Sequence, residues 1–333
     1  MTPFSLVVCG AINWDVSCFV ERLPVPGEKV IAEHITRVSG GTGGNVAVAA
    51  ARVLGTKEVG LIGTLGRDDI ARQQIGILED EGVVTTGIHQ ITGEESGQAY
   101  IMIDPKGENV IANHLGANAR LGLKHLKTVE LKRQLRECRG IVLTDPPLEV
   151  AKALINVAKG YEIPLLWAPG ILINQNREVL LSLVKEAEVI FLNETEASAL
   201  LGASESKTSF HELKKLGFSN HIVFKLGSQG AVMVEPAGGT VIEILALPLK
   251  ELGLNVISTV GCGDVFAGVF AAYHVTGSSL ERSLVMASVA AGLNATRPET
   301  RGSPERAALE AMEQRSRNLG FALRESRALR TTE

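Results

Sequence analysis

Asp264 stands directly behind Gly261-Cys262-Gly263 and ahead of an apolar run, in the segment STVGCGDVFAGVF over 258–270. A glycine turn that opens a helix leaves first-turn N–H groups free, and with the helix dipole they form an anion site. Glycines let backbone amides approach phosphoryl oxygens more closely than any side chain could. A carboxylate beside such a site can accept the proton of an attacking hydroxyl and align it for in-line transfer. A plain charge on a core helix, with glycines easing its packing, explains the same letters, and motif shape alone weighs the two readings about equally.

A second glycine cluster lies far upstream. Gly40-Gly41-Thr42-Gly43-Gly44-Asn45 runs into the alanine-rich AVAAARV. Asn13 and Asp15 follow the first apolar strand, where a short carboxylate suits a bidentate grip on vicinal hydroxyls; a turn cap is the plainer role. Asn193-Glu194-Thr195-Glu196 closes the run EVIFLN. Its Asn and Glu, three residues apart, project from one face of a starting helix, although such a pattern is more often a capping box. Lys225-Leu226-Gly227-Ser228-Gln229-Gly230 reads as a strand and turn. Gly116-Ala117-Asn118 is a turn or a ligand contact. Asp68 and Asp69 look like caps for a helix. His34, His89 and His114 lack metal-ligand spacing. Arg37, Lys106 and Arg120 are ordinary exposed bases.

Short β-branched runs alternate with Ala/Leu-rich segments, which predicts an α/β protein with a mainly parallel central sheet flanked by helices. Two stretches break the rhythm: 15–38 and 97–114 read as antiparallel strands, the second turning at Pro105-Lys106-Gly107. They predict a small β-sheet lid, formed by 13–38 and 97–114, on a core made of 1–12, 39–96 and 115–333. The tail after Ser303 predicts an exposed amphipathic helix and a frayed end from about Glu325.

Composition narrows the function classes. The chain has 333 residues, 45% hydrophobic and 21% charged, with a net charge of −4, which argues against nucleic acid as the main partner. Aromatics at 4% disfavour a platform for stacking bases. Four cysteines without CxxC spacing predict free thiols rather than zinc or disulfides. No signal peptide and no membrane span is read, so a cytoplasmic protein is expected. No GxGxxG follows the first strand, where Cys9-Gly10-Ala11-Ile12-Asn13 stands, which disfavours a dinucleotide-dependent oxidoreductase.

Both glycine motifs resemble signatures of the ribokinase-like (PfkB) carbohydrate kinases. GCGDVFAGVF is similar to the second signature, and Gly40 to Ala47 to the first, in the right order and far apart. The resemblance runs to about Ser303. It implies a kinase that moves the terminal phosphoryl group of ATP, with Mg2+, onto a hydroxyl of a sugar or ribose-containing acceptor. In that reading Asp264 is the general base and Gly261, Cys262 and Gly263 form the anion hole. Asn13, Asp15, Asn45 and the backbone of Gly40 and Gly41 hold the acceptor. Asn193, Lys225, Gly227 and Gly230 border the nucleotide, Asn294 falls near the adenine pocket, and Glu196 helps place the metal. The lid closes over the sugar and excludes water, and it implies a homodimer formed through its free face.

A nucleoside or ribose is the acceptor expected first. A phosphorylated sugar such as ribose 1-phosphate, or a hexose or keto-acid sugar, is the alternative, and ADP stays open beside ATP as the donor. The rival from another class is a catalytically silent ligand-binding protein on the same scaffold, against which the intact Asp264, Asn193 and Glu196 stand. The chain departs from the family pattern at Ser258, where an acidic residue usually supports a monovalent-cation site, and across 297–302; potassium is therefore left out of the expected cofactors. Cys262 replaces the usual Ala, and its place at a helix N-terminus predicts a thiol biased toward thiolate.

Overall fold

The computed structural model describes residues 4–105, 108–174, 176–202 and 210–327. The apolar start becomes β1 (Leu6–Cys9), followed by a hairpin of β2 (Asn13–Val20) and β3 (Ala32–Gly40). The glycine cluster then opens α1 (Thr42–Leu54), and β4 (Val59–Gly66), α2 (Asp69–Asp80) and β5 (Val83–Ile91) follow. A second hairpin, β6 (Gly97–Ile103) and β7 (Asn109–His114), completes the irregular stretches. The predicted turn between them lies partly outside the described residues, at 106 and 107.

Next come α3 (Val129–Glu137), β8 (Ile141–Leu143), α4 (Leu148–Tyr161), β9 (Leu165–Trp167), α5 (Arg177–Val184), β10 (Val189–Asn193) and α6 (Glu194–Leu201). The last part contains α7 (Phe210–Lys215), β11 (His221–Lys225), β12 (Ala231–Glu235), β13 (Thr240–Ile244), α8 (Cys262–Val275), α9 (Leu280–Asn294), α10 (Arg306–Arg317) and β14 (Leu323–Arg327).

The main sheet has ten strands in the order β14-β13-β12-β11-β10-β9-β8-β1-β4-β5. From β5 to β11 every pair is parallel, and β12, β13 and β14 extend that edge antiparallel. Parallel strands need both faces covered. Here α1, α2, α8 and α9 bury one face and α3 to α6 the other. The sequence reading differs at the C-terminus: the tail does not fray at Glu325 but forms β14, which pairs with β13 from Leu323 to Arg327.

The lid is a separate four-stranded sheet, β3-β2-β6-β7. Each hairpin is antiparallel as predicted, but β2 joins β6 in parallel, with Asn13 beside Gly97 and Phe19 beside Ile103. This follows from connectivity, because both strands leave the core at the same junction and run outward together.

Small residues decide how α1 meets α8. The helix cores are Ala/Gly-rich, and a Cβ on Gly268 would fall 2.5 Å from the Val46 carbonyl oxygen. Only hydrogen fits there, so the two helices touch along their backbones and their N-terminal turns lie side by side.

Candidate active site

That contact brings Asn45, at the start of α1, to Asp264, at the start of α8. Asn45 Nδ2 donates to Asp264 Oδ2 at 2.8 Å. Asp264 remains partly exposed. Burial pushes its pKa up to about 6; the Asn45 hydrogen bond and the Lys225 ammonium oppose the rise, and Asp145 and Glu196 add to it. A carboxylate poised there changes charge close to neutral pH, which suits a general base.

The turn ahead of it has the predicted form. Gly261 is left-handed at φ 78°, and no side chain caps the helix N-terminus. A Cβ on Gly263 would stand 3.1 Å from Lys225 Nζ. An uncapped helix start beside an ammonium is a fitting place for an anion. Cys262 behaves differently from the sequence reading: burial, the leading effect, raises its thiol pKa, so the thiolate is disfavoured.

On the other side, Asp15 is 6% exposed. Its carboxylate lies so close to Gly40 that a Cβ there would fall 1.9 Å from Oδ2. Burial pushes Asp15 up to about 7, with Arg301 opposing and Asp264 adding to the rise. Asn13 sits at the root of the lid, where its Oδ1 accepts from Asn118 Nδ2 at 2.9 Å. Asn118 also accepts from the Ile12 amide at 3.0 Å. The turn at 116–118 therefore ties the lid junction together.

The remaining predicted residues lie along the carboxyl ends of β10 and β11. Asn193 and Lys225 are neighbours in register. Asn193 Oδ1 accepts from the Glu196 amide and Glu196 Oε2 from the Asn193 amide, both at 2.8 Å. The capping box is thus formed, and it presents the Glu196 carboxylate at the helix start. Gly227 begins a short turn that Gly230 ends at φ 99°. Asn294, expected near the adenine pocket, closes α9. It is fully buried, donates to Val260 O at 3.2 Å and to Cys262 Sγ at 3.4 Å, and accepts from the Gly302 amide at 2.7 Å. These bonds tie the end of α9 to the 260–262 turn and to Gly302.

Two residues at the site escaped the sequence reading. Asp145 follows β8, and its Oδ1 accepts from the Ala11 amide at 3.0 Å and from Thr42 Oγ1 at 2.8 Å. An Asp closing the strand-like run GIVLTD was the available signal, since ligands of open α/β sheets sit at the carboxyl ends of strands. Arg301, from the segment noted only as a departure, is 8% exposed. It donates from Nε to Asn45 Oδ1 at 2.8 Å, from Nη1 to Ser39 Oγ at 2.5 Å and from Nη2 to Gly40 O at 2.9 Å. Nothing in the local letters of 297–302 marks that destination.

Among the described residues no group of three or more His, Cys, Asp or Glu side chains is arranged to hold a metal, and no helix is long and apolar enough to cross a membrane.

The chain is similar to known kinases over most of its length. An ATP-dependent ribose-1-phosphate kinase of Halopiger xanaduensis is 29% identical over 306 residues, covering 91% of this chain and 95% of that protein. A ribokinase of Haemophilus influenzae is 29% identical, covering 90% and 94%. The structure of Arabidopsis thaliana ribokinase complexed with ribose and ATP superposes with a TM-score of 0.80 at 26% identity, covering 94% and 99%. Residues 4–307 match the family described as pfkB family carbohydrate kinase. With both glycine motifs joined by the Asn45–Asp264 bond and the family match spanning residues 4–307, the chain belongs to the pfkB family of carbohydrate kinases, phosphotransferases with an alcohol acceptor.

Proposed function

We propose that this kinase phosphorylates a hydroxyl of ribose or of a ribose-containing nucleoside, with ATP as donor and Asp264 as the general base. The observation that carries this reading is the Asn45–Asp264 hydrogen bond, which joins the acceptor-side glycine cluster to the anion turn. The acceptor hydroxyl lies between Asp15, Asn45 and Asp264, and Asp264 takes its proton as the phosphoryl group arrives. Amides of the 261–263 turn and the Lys225 ammonium face the transferring group. Since this chemistry is mostly positioning and electrostatics, the chain needs few reactive groups.

Mg2+ fits the site in the usual way for nucleotide kinases, held mainly by phosphate oxygens and water with one protein carboxylate. Glu196, set beside Asn193 at the start of α6, is the residue we assign to it, and the metal would neutralise phosphate charge. The likeness to a ribose-1-phosphate kinase of Halopiger xanaduensis favours a phosphorylated ribose as the second acceptor to try.

The lid supports a homodimer. Ile35, Cys18, Met102 and Val110 follow one another across its four strands, and Ile35, Met102 and Val110 are exposed. An apolar row on an outer sheet face is a ready interface. Light scattering should find a dimer in the wild type and a monomer in Met102→Lys; a wild-type monomer refutes the interface. The cysteines are unpaired, in keeping with a cytoplasmic setting.

A turnover screen with Mg2+ and ATP across ribose, nucleosides, ribose 1-phosphate, fructose 6-phosphate and keto-deoxy sugar acids tests the main reading. Phosphorylation of ribose or a nucleoside, lost in Asp264→Asn, is the expected result. Turnover confined to another acceptor class overturns the ribose assignment.

A further inference from the structure

Arg301 is a buried cation whose hydrogen bonds all go to neutral oxygens: Asn45 Oδ1, Ser39 Oγ and the Gly40 carbonyl. The charges that balance it act through space, Asp15 first, then Glu81 and Asp264, with Arg52 opposing. Desolvation pulls its pKa down to about 10, so it is still cationic at neutral pH. Burying a guanidinium without a direct carboxylate partner is costly, and a fold retains such a charge more readily where it serves a site.

Its position decides the orientation of Asn45. A carboxamide has one accepting and one donating end. With Arg301 Nε donating to Oδ1, Nδ2 is left facing Asp264. The same guanidinium holds the Gly40 carbonyl, at the point where Asp15 lies against the chain. The backbone around it reaches the other half of the cleft. A Cβ on Gly261 would fall 2.1 Å from the Thr300 carbonyl oxygen, and Asn294 accepts from the Gly302 amide. From behind, Arg52 donates to the carbonyls of Arg301 and Ser303, while its other nitrogens hold Glu81.

We propose that Arg301 is a positioning residue for phosphoryl transfer, locking the Asn45 carboxamide so that its N–H points at Asp264 and supplying one shared countercharge to Asp15 and Asp264. The segment 300–302 thereby sets acceptor, base and anion turn in one register. This deepens the reading above and rests on Asp264 being the base. The charged groups that act most on Asp264 are Lys225, Asp145 and Glu196, and Asp15 and Arg301 couple to it more weakly. Removing Arg301 takes away one of the two cations among them.

The test compares Arg301→Lys, Arg301→Met and Asn45→Ala, together with the double variant that combines Arg301→Lys and Asn45→Ala, on the acceptor found by the screen. Arg301→Lys keeps the charge and loses the fork. It should lower kcat/KM for the acceptor roughly tenfold, leave the KM for ATP within about twofold and leave the acid limb of the pH profile in place. Arg301→Met loses both; the fall should reach roughly a hundredfold, and the acid limb should move to higher pH. Losses from Arg301→Lys and Asn45→Ala should fail to multiply, since one acts through the other.

Wild-type kcat/KM in Arg301→Lys, or fully independent losses, overturns the positioning role. An unmoved acid limb in folded Arg301→Met overturns the countercharge. If the Arg301 variants do not fold, Ser39→Ala frees one arm of the guanidinium, and the same cycle with Asn45→Ala decides: coupled losses support the proposal, while independent losses or no loss overturn it. Asp264→Asn run alongside separates the two failures. Turnover surviving in Asp264→Asn defeats the base assignment, whereas a dead Asp264→Asn beside fully active Arg301 variants defeats this inference alone.

Discussion

The two sides of the cleft are built from different materials. On the side proposed for the acceptor, Asp15, Asn45 and Arg301 are each less than one-tenth exposed, and Arg301 holds Asn45 by a side-chain hydrogen bond. On the side proposed for the nucleotide, Asn193 is exposed and Gly227 to Gln229 form a surface turn. Fixed buried charges discriminate sharply, because any misfit leaves a polar group unpaired. Exposed turns and backbone amides bind a ligand that offers its own charge and enters and leaves every cycle. The difference predicts that acceptor-side changes alter rate and specificity, and nucleotide-side changes mainly alter affinity.

Asp264, where the sides meet, should give the largest effect. Asp264→Asn should cost roughly 10²–10⁴ in kcat with both substrates still binding, measured by turnover and by equilibrium titration. In the wild type, activity should rise with pH through about 6, as Asp264 loses its proton, since the base works only when ionised.

Asp15→Asn comes next. Loss of charge-assisted bonds should lower kcat/KM for the acceptor roughly 10–100-fold while the KM for ATP stays put. A matching rise in the KM for ATP would erase the contrast between the two sides. The same variant carries a stability signature. The folded pKa of Asp15, about 7, lies above the ordinary 3.8, so the folded state holds this proton more tightly than the unfolded chain. Its contribution is complete below pH 3.8 and fades as pH rises through 7. Calorimetry should therefore find Asp15→Asn roughly 2–5 °C more stable than wild type at pH 7.5, with no gain at pH 4.

The smallest effect belongs to the nucleotide side. Glu196→Gln keeps the capping box, because Gln serves at that position as well as Glu. It removes only charge, so the KM for the magnesium nucleotide should rise about 3–10-fold with kcat nearly unchanged. A loss of kcat as large as that of Asp15→Asn would mean that Glu196 belongs with the buried set.

Legibility in the sequence followed the range over which each feature is encoded. The 261–264 turn, the 40–45 cluster and the 193–196 box are local, so residue type and spacing were enough to find them. The alternation that implied a parallel sheet is local too. The parallel pairing of β2 with β6 is not, since it joins hairpins far apart in the chain. β14 was hidden because LRESR is a charged edge strand, and edge strands lack the apolar alternation that marks buried ones. Asp145 and Arg301 reach Thr42 and Asn45 across 103 and 256 residues; only the folded chain shows what those charges face. Burial of the Cys262 thiol, which raises its pKa, is likewise a property of the folded chain and not of the local letters.

The crossing at Gly268 makes the site sensitive to events outside it. Gly268 lies one turn beyond Asp264, and Val46 directly follows Asn45, so the backbone contact between them is a gauge block for the gap between base and carboxamide. Its thickness is one hydrogen atom. A methyl group inserted there would widen that gap without touching a reacting atom. Tolerances in this enzyme are thus machined at a buried helix crossing, where an alanine would read in kinetics as a damaged active site.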